Sequence, residues 1–474
     1  MKKFAIMMLS ASLCFSMIQP DVLADGVEKE KDILSEVENV STLTIDNVVE
    51  RGLKRQSLLL LLGYQMEIIE NQQNQIIRDR DNTSWDLVDA KDDLDEMRDR
   101  RNDLNEGING LKAQIEAIEA EMASVQEELA ALDPNSPNYS IDLLEGQLAL
   151  LQQELARLQL TMTESELEQA KGGLDQGIAV FEAQIEALED ALYQLQLAIQ
   201  QLSSGKIQLT FEVEESTLML ETMLKSNFVQ LLSTEKQNDF TQQALDQKEK
   251  EMKKMKRQVE LGLVSAYELE QAERDFASQK RDLEQANKDF QRELAKLALD
   301  IGVQYHEDLE LEPVSVTSLR PLKSNNNIDQ LVNNSYAMRK AEQDLAMAKL
   351  EVDHVKNKRD VSSYEINQAE LAVKVEEENM RQLKRDLKEN IDDLYYDAAK
   401  AYEAVEKGKR ELRYAESDYS KLKRQYEIGL ISAFVYNQGE IQVKQAAFEL
   451  QMAELSYYLL LEQVEAMQNG LIQP

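Results

Sequence analysis

The chain has 474 residues, 89 of them acidic and 53 basic, which gives a formal net charge of −36 and makes nucleic acid an unsuitable partner. One cysteine and two histidines leave almost nothing for a disulfide framework, a thiol nucleophile, a His-rich metal site or a histidine base. Six prolines, sixteen glycines and 6% aromatics, with abundant Ala, Leu, Glu, Gln and Lys, fit long helices and exclude one compact globular core.

Lys2 and Lys3 precede an apolar run from Phe4 to Ile18, and Val22-Leu23-Ala24 offers a cleavage position, so residues 1–24 are expected to be a secretory signal peptide. Cys14 lies inside that run behind Ser-Leu, a poor lipid-attachment box, and a lipoprotein is not the expected reading. Loss of Lys2, Lys3 and Asp21 takes the charge from −36 to −37 and leaves no cysteine. No later apolar run approaches the ~20 residues a spanning helix needs.

Residues 25–44 are expected to be an extended segment, since Asn39 to Asp46 leans towards strand, with Thr44 or Asp46 capping a helix that begins near Asn47. That first helix is placed at 45–80, weakened at Asp81-Asn-Thr-Ser84. An inserted coiled-coil hairpin follows over 81–205. Its outgoing seam of Leu94, Met97, Leu104, Ile108, Leu111, Ile115, Ile118, Met122, Val125, Leu129 and Leu132 steps by threes and fours, with Arg101 in the missing place. Asp133 to Tyr139, with Pro134 and Pro137, predicts the turn.

The return arm carries one stripe from Leu144 to Met162 and another from Leu174 to Leu202. Their phase breaks where Gly172, Gly173 and Gly177 sit, which predicts a bend. Trp85 is expected to pack at the base of this hairpin. A hairpin over 206–302 follows, turning at Gly262, and then an extended linker over 303–326, where Asp308 to Thr317 alternates like a short strand. Residues 327–474 hold a helix to about Lys358, a break at Asp360–Ser363, a helix to Glu427, a turn at Gly429 and a last helix to about Gln468.

The organisation becomes specific through an internal repeat. Lys256-Arg-Gln-Val-Glu-Leu-Gly-Leu-Val-Ser-Ala266 and Lys423-Arg-Gln-Tyr-Glu-Ile-Gly-Leu-Ile-Ser-Ala433 align without gaps, 167 positions apart. Gly302 and Gly470 end the two returning helices at matching distances, and Leu43-Thr-Ile-Asp46 corresponds to Asn327-Ile-Asp329. In each tip, Gly262 or Gly429 supplies positive φ, Leu263 or Leu430 is an exposed apolar knob, and Ser265 or Ser432 caps the next helix. The plain alternative is a well-capped αα-turn with no further role.

These two stretches resemble the TolC family of exit ducts, the outer-membrane efflux proteins, in which both repeats carry a Gly-Leu tip followed by a Gln- and Ala-rich returning helix. Val259 to Ala272 fits closely, and Tyr426 to Gln438 fits well. The resemblance implies an all-α, duplicated α-barrel protomer built of long antiparallel coiled-coil hairpins. It implies a homotrimer forming a hollow tube, and tips (Gly262, Leu263, Ser265, Gly429, Leu430, Ser432) that meet a periplasmic adaptor protein linked to an inner-membrane transporter. The sequence departs from the family where paired membrane-crossing strands belong. Such strands need about 9–11 alternating residues each, and Gln208 to Val213, the closest candidate, is too short. The expected location is therefore the cell envelope, after export, without a span across an outer membrane.

Both descending helices turn basic before the tip, through Lys253, Lys254, Lys256 and Arg257 in one and Lys421, Lys423 and Arg424 in the other. Ordinary pairing with Glu249, Glu251, Glu411 and Asp418 explains such a run, and so does an anionic membrane surface or an acidic adaptor facing the tips. Carboxylate clusters such as Asp92 to Glu96 fall on solvated faces, and no phosphate loop or calcium loop occurs. The reading is a non-enzymatic exit-duct component without cofactor or metal. The alternative is a coiled-coil scaffold or envelope spacer that keeps the fold and conducts nothing.

Overall fold

The structure is a computed structural model that describes residues 40–132, 138–161, 164–314, 316, 319–322, 327–357 and 361–472. The expected signal peptide, the turn around Pro134 and Pro137, and Asp360 lie outside those residues. Among the described residues the elements run β1 Thr42–Leu43, α1 Ile45–Arg55, α2 Ser57–Ala131, α3 Asn138–Thr161, α4 Glu164–Glu260 and α5 Ala266–Asp300. They continue with β2 Glu310–Leu311, α6 Ile328–Asn334, α7 Tyr336–Asn357, α8 Ser363–Glu427 and α9 Ala433–Gln468. The all-α reading of long antiparallel hairpins holds, and no helix of the described residues is long and apolar enough to cross a membrane.

The chain divides into two compact units, 67–207 and the remainder. The unit 67–207 is an antiparallel hairpin whose contacts fall in number on one arm as they rise on the other. Glu70 meets Lys206 at 2.5 Å, Gln73 donates to Ser203 Oγ at 2.9 Å, Lys91 meets Glu189 at 2.9 Å, Arg98 meets Glu182 at 2.8 Å and Arg101 meets Asp175 at 3.3 Å. The unit therefore begins at residue 67, ahead of the expected 81. Two packed arms alone bury little, and Ala90, Leu94, Val125 and Ile178 are the buried apolar residues of the seam among the described residues.

Three local expectations for this hairpin need correction. Residues 81–84 do not interrupt α2, because Thr83 donates its hydroxyl to the Asp79 carbonyl at 2.9 Å and Arg80 pairs with Asp81 at 2.6 Å, so local polar groups are satisfied within the helix. The glycines at 172, 173 and 177 do not interrupt α4, which is continuous there. A Cβ on Gly177 would lie 2.8 Å from the Met97 sulfur, so this glycine admits a large side chain across the seam. Trp85 is 70% exposed and not packed at the base, because it points away from the seam.

In the other unit, the first helix breaks at Gln56, which is extended at φ −73°, ψ 113°, instead of running unbroken to residue 80. The second repeat breaks likewise at Ser335, whose hydroxyl donates to the Val332 carbonyl at 2.7 Å and accepts from the Met338 amide at 3.2 Å. Residues 208–213 are helical within α4.

Two hydrophobic cores sit at matching places. The first gathers Leu43, Val48, Leu224, Phe228, Leu232, Leu297, Ile301, Leu309 and Leu311, and the second gathers Val332, Leu387, Ile391, Ala398, Val405, Tyr457, Val464 and Met467. Leu220, Leu224 and Leu231 are buried on α4, as are Leu387, Ile391 and Ala398 on α8, each pair 167 positions apart. The linker serves both cores. β2 pairs in parallel with β1 in register Leu43 to Leu311, and Tyr457 donates its hydroxyl to the Arg320 carbonyl at 2.7 Å.

The repeats are joined by α4, which packs on α7 and α9. Lys225 meets Glu462 at 2.6 Å and Glu221 at 2.9 Å. Burial acts against its charge, yet the hydrogen bonds to Glu462 and Glu221 hold the ammonium above the ordinary lysine range. That contribution is present at neutral pH and is lost only as pH rises through the raised value. Phe240 stacks on Phe448 at 4.7 Å. Passing from 225 to 240 on α4 passes from 462 back to 448 on α9, so these helices are antiparallel and in step.

Glycines with positive φ occur among the described residues at Gly262, Gly302, Gly429 and Gly470, with values of 72°, 69°, 82° and 104°. A Cβ at Gly470 would lie 3.1 Å from the Asn334 carbonyl oxygen, whereas one at Gly262 meets nothing within 4 Å. Both alanine variants carry the left-handed penalty, about 1 kcal/mol. Gly470→Ala should therefore lower the urea midpoint more than Gly262→Ala, as followed by circular dichroism.

Candidate functional site: the paired tips

The tips are built by the way each descending helix ends. A helix leaves its last carbonyls without partners, and a residue of positive φ folds the following amides back onto them. At the first tip the Gly262 amide donates to the Val259 carbonyl at 3.0 Å and the Leu263 amide to the Gln258 carbonyl at 2.8 Å. At the second, the Gly429 amide donates to Tyr426 at 2.9 Å and the Leu430 amide to Gln425 at 2.8 Å.

The serines then start the returning helices. Ser265 Oγ accepts from the Glu268 amide at 3.2 Å while Glu268 Oε2 accepts from the Ser265 amide at 3.2 Å, a complete capping box. Ser432 Oγ accepts only from the Val435 amide at 3.4 Å, because valine stands where the first copy has glutamate.

The same turn closes the other end of each returning helix. The Val303 amide donates to Ala298 at 2.8 Å and the Leu471 amide to Ala466 at 3.0 Å. There Val303, directly after its glycine, enters the first core, whereas in the second repeat Leu471 is half-buried and the next residue, Ile472, enters the core. At the tips Leu263 and Leu430 are each 71% exposed. The register between α4 and α9, carried onward, brings residue 260 level with residue 428, so both tips stand side by side at one end of their unit.

The sequence reading missed part of this surface. Leu261, Ile428, Tyr267 and Phe434 are also exposed, and they form repeat-related pairs, 261 with 428 and 267 with 434. The signal was present in the gapless alignment, where apolar residues hold matching places outside any helix seam. Each tip thus presents three large apolar side chains.

The basic residues divide in two. Lys253 pairs with Glu249 at 2.9 Å, Lys421 with Asp418 at 2.8 Å, and Lys256 reaches across to Glu273 at 2.8 Å. The Glu273 hydrogen bond and charge hold Lys256 above the usual lysine value. Lys254, Arg257, Lys423 and Arg424 are exposed and make no ion pair among the described residues. Ordinary pairing accounts for three of the seven cations, and four remain as a polar rim.

The second stem carries an aromatic clasp that the first lacks. Tyr419 donates its hydroxyl to Tyr436 at 2.6 Å, and Tyr426 stacks on Tyr436 at 4.9 Å. The hydrogen bond to Tyr436 pushes the Tyr419 phenol up to about 12.

No family model matches the sequence, and no curated protein matches it. Among solved structures, the chain is similar to the Campylobacter jejuni CmeC outer membrane channel, at 13% identity over 59% of this chain and 68% of that one, with a TM-score of 0.45. It is similar to the open state of the Neisseria gonorrhoeae MtrE outer membrane channel, at 12% identity over 59% and 72%, with a TM-score of 0.46. It is also similar to the outer membrane protein VceC of Vibrio cholerae, at 14% identity over 58% and 76%, with a TM-score of 0.41.

The unequal caps predict unequal tips. Ser265→Ala removes half of a reciprocal pair and should cost about 1 kcal/mol, while Ser432→Ala removes one long bond and should cost less. Hydrogen exchange at the first turns of α5 and α9 measures this, with the larger loss of protection expected in α5.

Proposed function

We propose that this chain is one protomer of a TolC-like exit duct of the cell envelope, exported from the cytoplasm, and that it docks to an adaptor protein through its two Gly-Leu-x-Ser tips. Three protomers would enclose a helical conduit, and an inner-membrane transporter would deliver the cargo through the adaptor. The protein would act by geometry and make no bond.

The observation that carries this reading is the pair of level, duplicated tips. The positive-φ turn that leads Val303 and, two residues after its glycine, Ile472 into the cores leaves Leu263 and Leu430 in water at the other end of the returning helices. Large exposed apolar side chains rimmed by unpaired cations fit a protein interface, with aliphatic and aromatic anchors at the centre and Lys254, Arg257, Lys423 and Arg424 at its edge. An acidic surface on the adaptor complements that rim.

Negative-stain images and mass measurement of the purified protein test the assembly. A hollow threefold tube is expected, and an extended monomeric or dimeric rod would favour the scaffold. Leu263→Asp with Leu430→Asp tests the docking. Recovery of a cross-linked envelope partner with the tagged protein should fall at least about tenfold, the scale for losing two buried anchors, with helicity unchanged. Full recovery would remove the tips from the mechanism, and equal loss of binding to anionic vesicles would assign them to a membrane.

A further inference from the structure

The unit 67–207 carries a second, outer stripe on α2 that none of its described residues covers. On α2 the inner seam runs through Leu87, Ala90, Leu94 and Met97, which are buried or half-buried. Trp85 lies midway between Thr83 and Leu87 and so projects from the opposite side of the helix. From it an outer stripe of Asp81, Trp85, Val88, Asp92, Asp95 and Asp99 steps by four and three, and every member is exposed. Alternating steps of three and four are the spacing by which one helix receives another. Trp85 is 70% exposed and Val88 47%, and Trp85 is the sole tryptophan of the chain.

The acids along this stretch are unusual in kind as well as number. Residues 79–103 contain nine aspartates and one glutamate, whereas residues 104–131 contain six glutamates and no aspartate. Aspartate is the poorer helix former, so stability of α2 does not explain the choice. Asp81 and Asp95 lean on Arg80 and Arg98, at 2.6 Å and 3.6 Å, while Asp92 and Asp99 make no ion pair among the described residues. Arg78, one step before Asp81, is the single cation of the stripe. No group of acidic, histidine or cysteine side chains among the described residues is placed to hold a metal ion.

We propose that this outer face of α2 is a docking seam for a cationic amphipathic helix of a partner protein. Trp85 and Val88 would bury against its apolar residues, and Asp92, Asp95 and Asp99 would meet lysines or arginines at the same spacing. A second copy of the hairpin does not fit, because residues 67–207 hold 30 acidic against 10 basic side chains and would repel it. The inference is independent of the tips and of the duct.

Trp85 reports on its own site. Titration of the purified protein with a synthetic Leu/Lys amphipathic peptide of about three heptads should shift Trp85 emission to the blue. The shift should be absent with a Leu/Glu counterpart and with oligolysine, and should weaken with salt. Asp92→Asn with Asp95→Asn and Asp99→Asn should weaken binding about tenfold. Trp85→Gln with Val88→Gln, followed by anisotropy of labelled peptide, should do the same, with helicity retained by circular dichroism. Unmoved emission, equal affinity in either variant, or equal binding of the Glu peptide would overturn the seam. An equal shift with phosphatidylcholine vesicles would overturn the class of partner.

Discussion

The fold of the larger unit depends on one constraint, that a long helix must end with its carbonyls satisfied and its chain reversed. A glycine of positive φ satisfies the carbonyls at Gly262, Gly302, Gly429 and Gly470, where in each case the next amide closes the same ring of hydrogen bonds, and at Gly262 and Gly429 it also reverses the chain. Whether the residue after the glycine is buried or bare is decided by what surrounds it. Val303 meets a core, and Leu263 and Leu430 meet water. One local device therefore serves as a structural closure at one end and as a presented surface at the other.

The duplicated halves differ where their stems are held. Asn238 lies 167 positions before Val405, at the same seam place, and its buried side-chain nitrogen has no hydrogen-bond partner among the described residues. Such a group costs about 1–3 kcal/mol. The second stem has valine there, and it adds the Tyr419, Tyr436 and Tyr426 clasp near its tip. The first stem compensates locally with a full capping box at Ser265. Stem strength and tip order are thus distributed in opposite senses between the repeats.

Much of this was legible in the sequence because periodicity and turn chemistry are local. The heptad seam from Leu94, the positive φ of Gly262 and Gly429, the caps at Thr44, Ser265 and Ser432, and the strand lean near Leu43 and Leu311 all follow from neighbouring residues. What escaped depends on distant packing. The break at Gln56 lies beside the Gly302 turn, where a Cβ would collide with Arg55, and no residue near 56 announces that. Gly177 read as a bend and is a socket for Met97, a role set by the other arm. Trp85, expected at the base of the hairpin, lies on the outer face, which its spacing from Leu87 and Ala90 sets.

The pairing of β1 with β2 bears on the order in which the molecule is made. Thr42 and Leu43 find their partners at Glu310 and Leu311, and Leu43 is fully buried in the core that those residues complete. Contacts so far apart in the chain close late, after nearer ones have formed. The 67–207 hairpin and the pair α8 and α9 can zip from their own turns, but the first core stays open until the linker has emerged. A chain released or cut before residue 312 would keep its coiled coil and lack the seat for its own beginning.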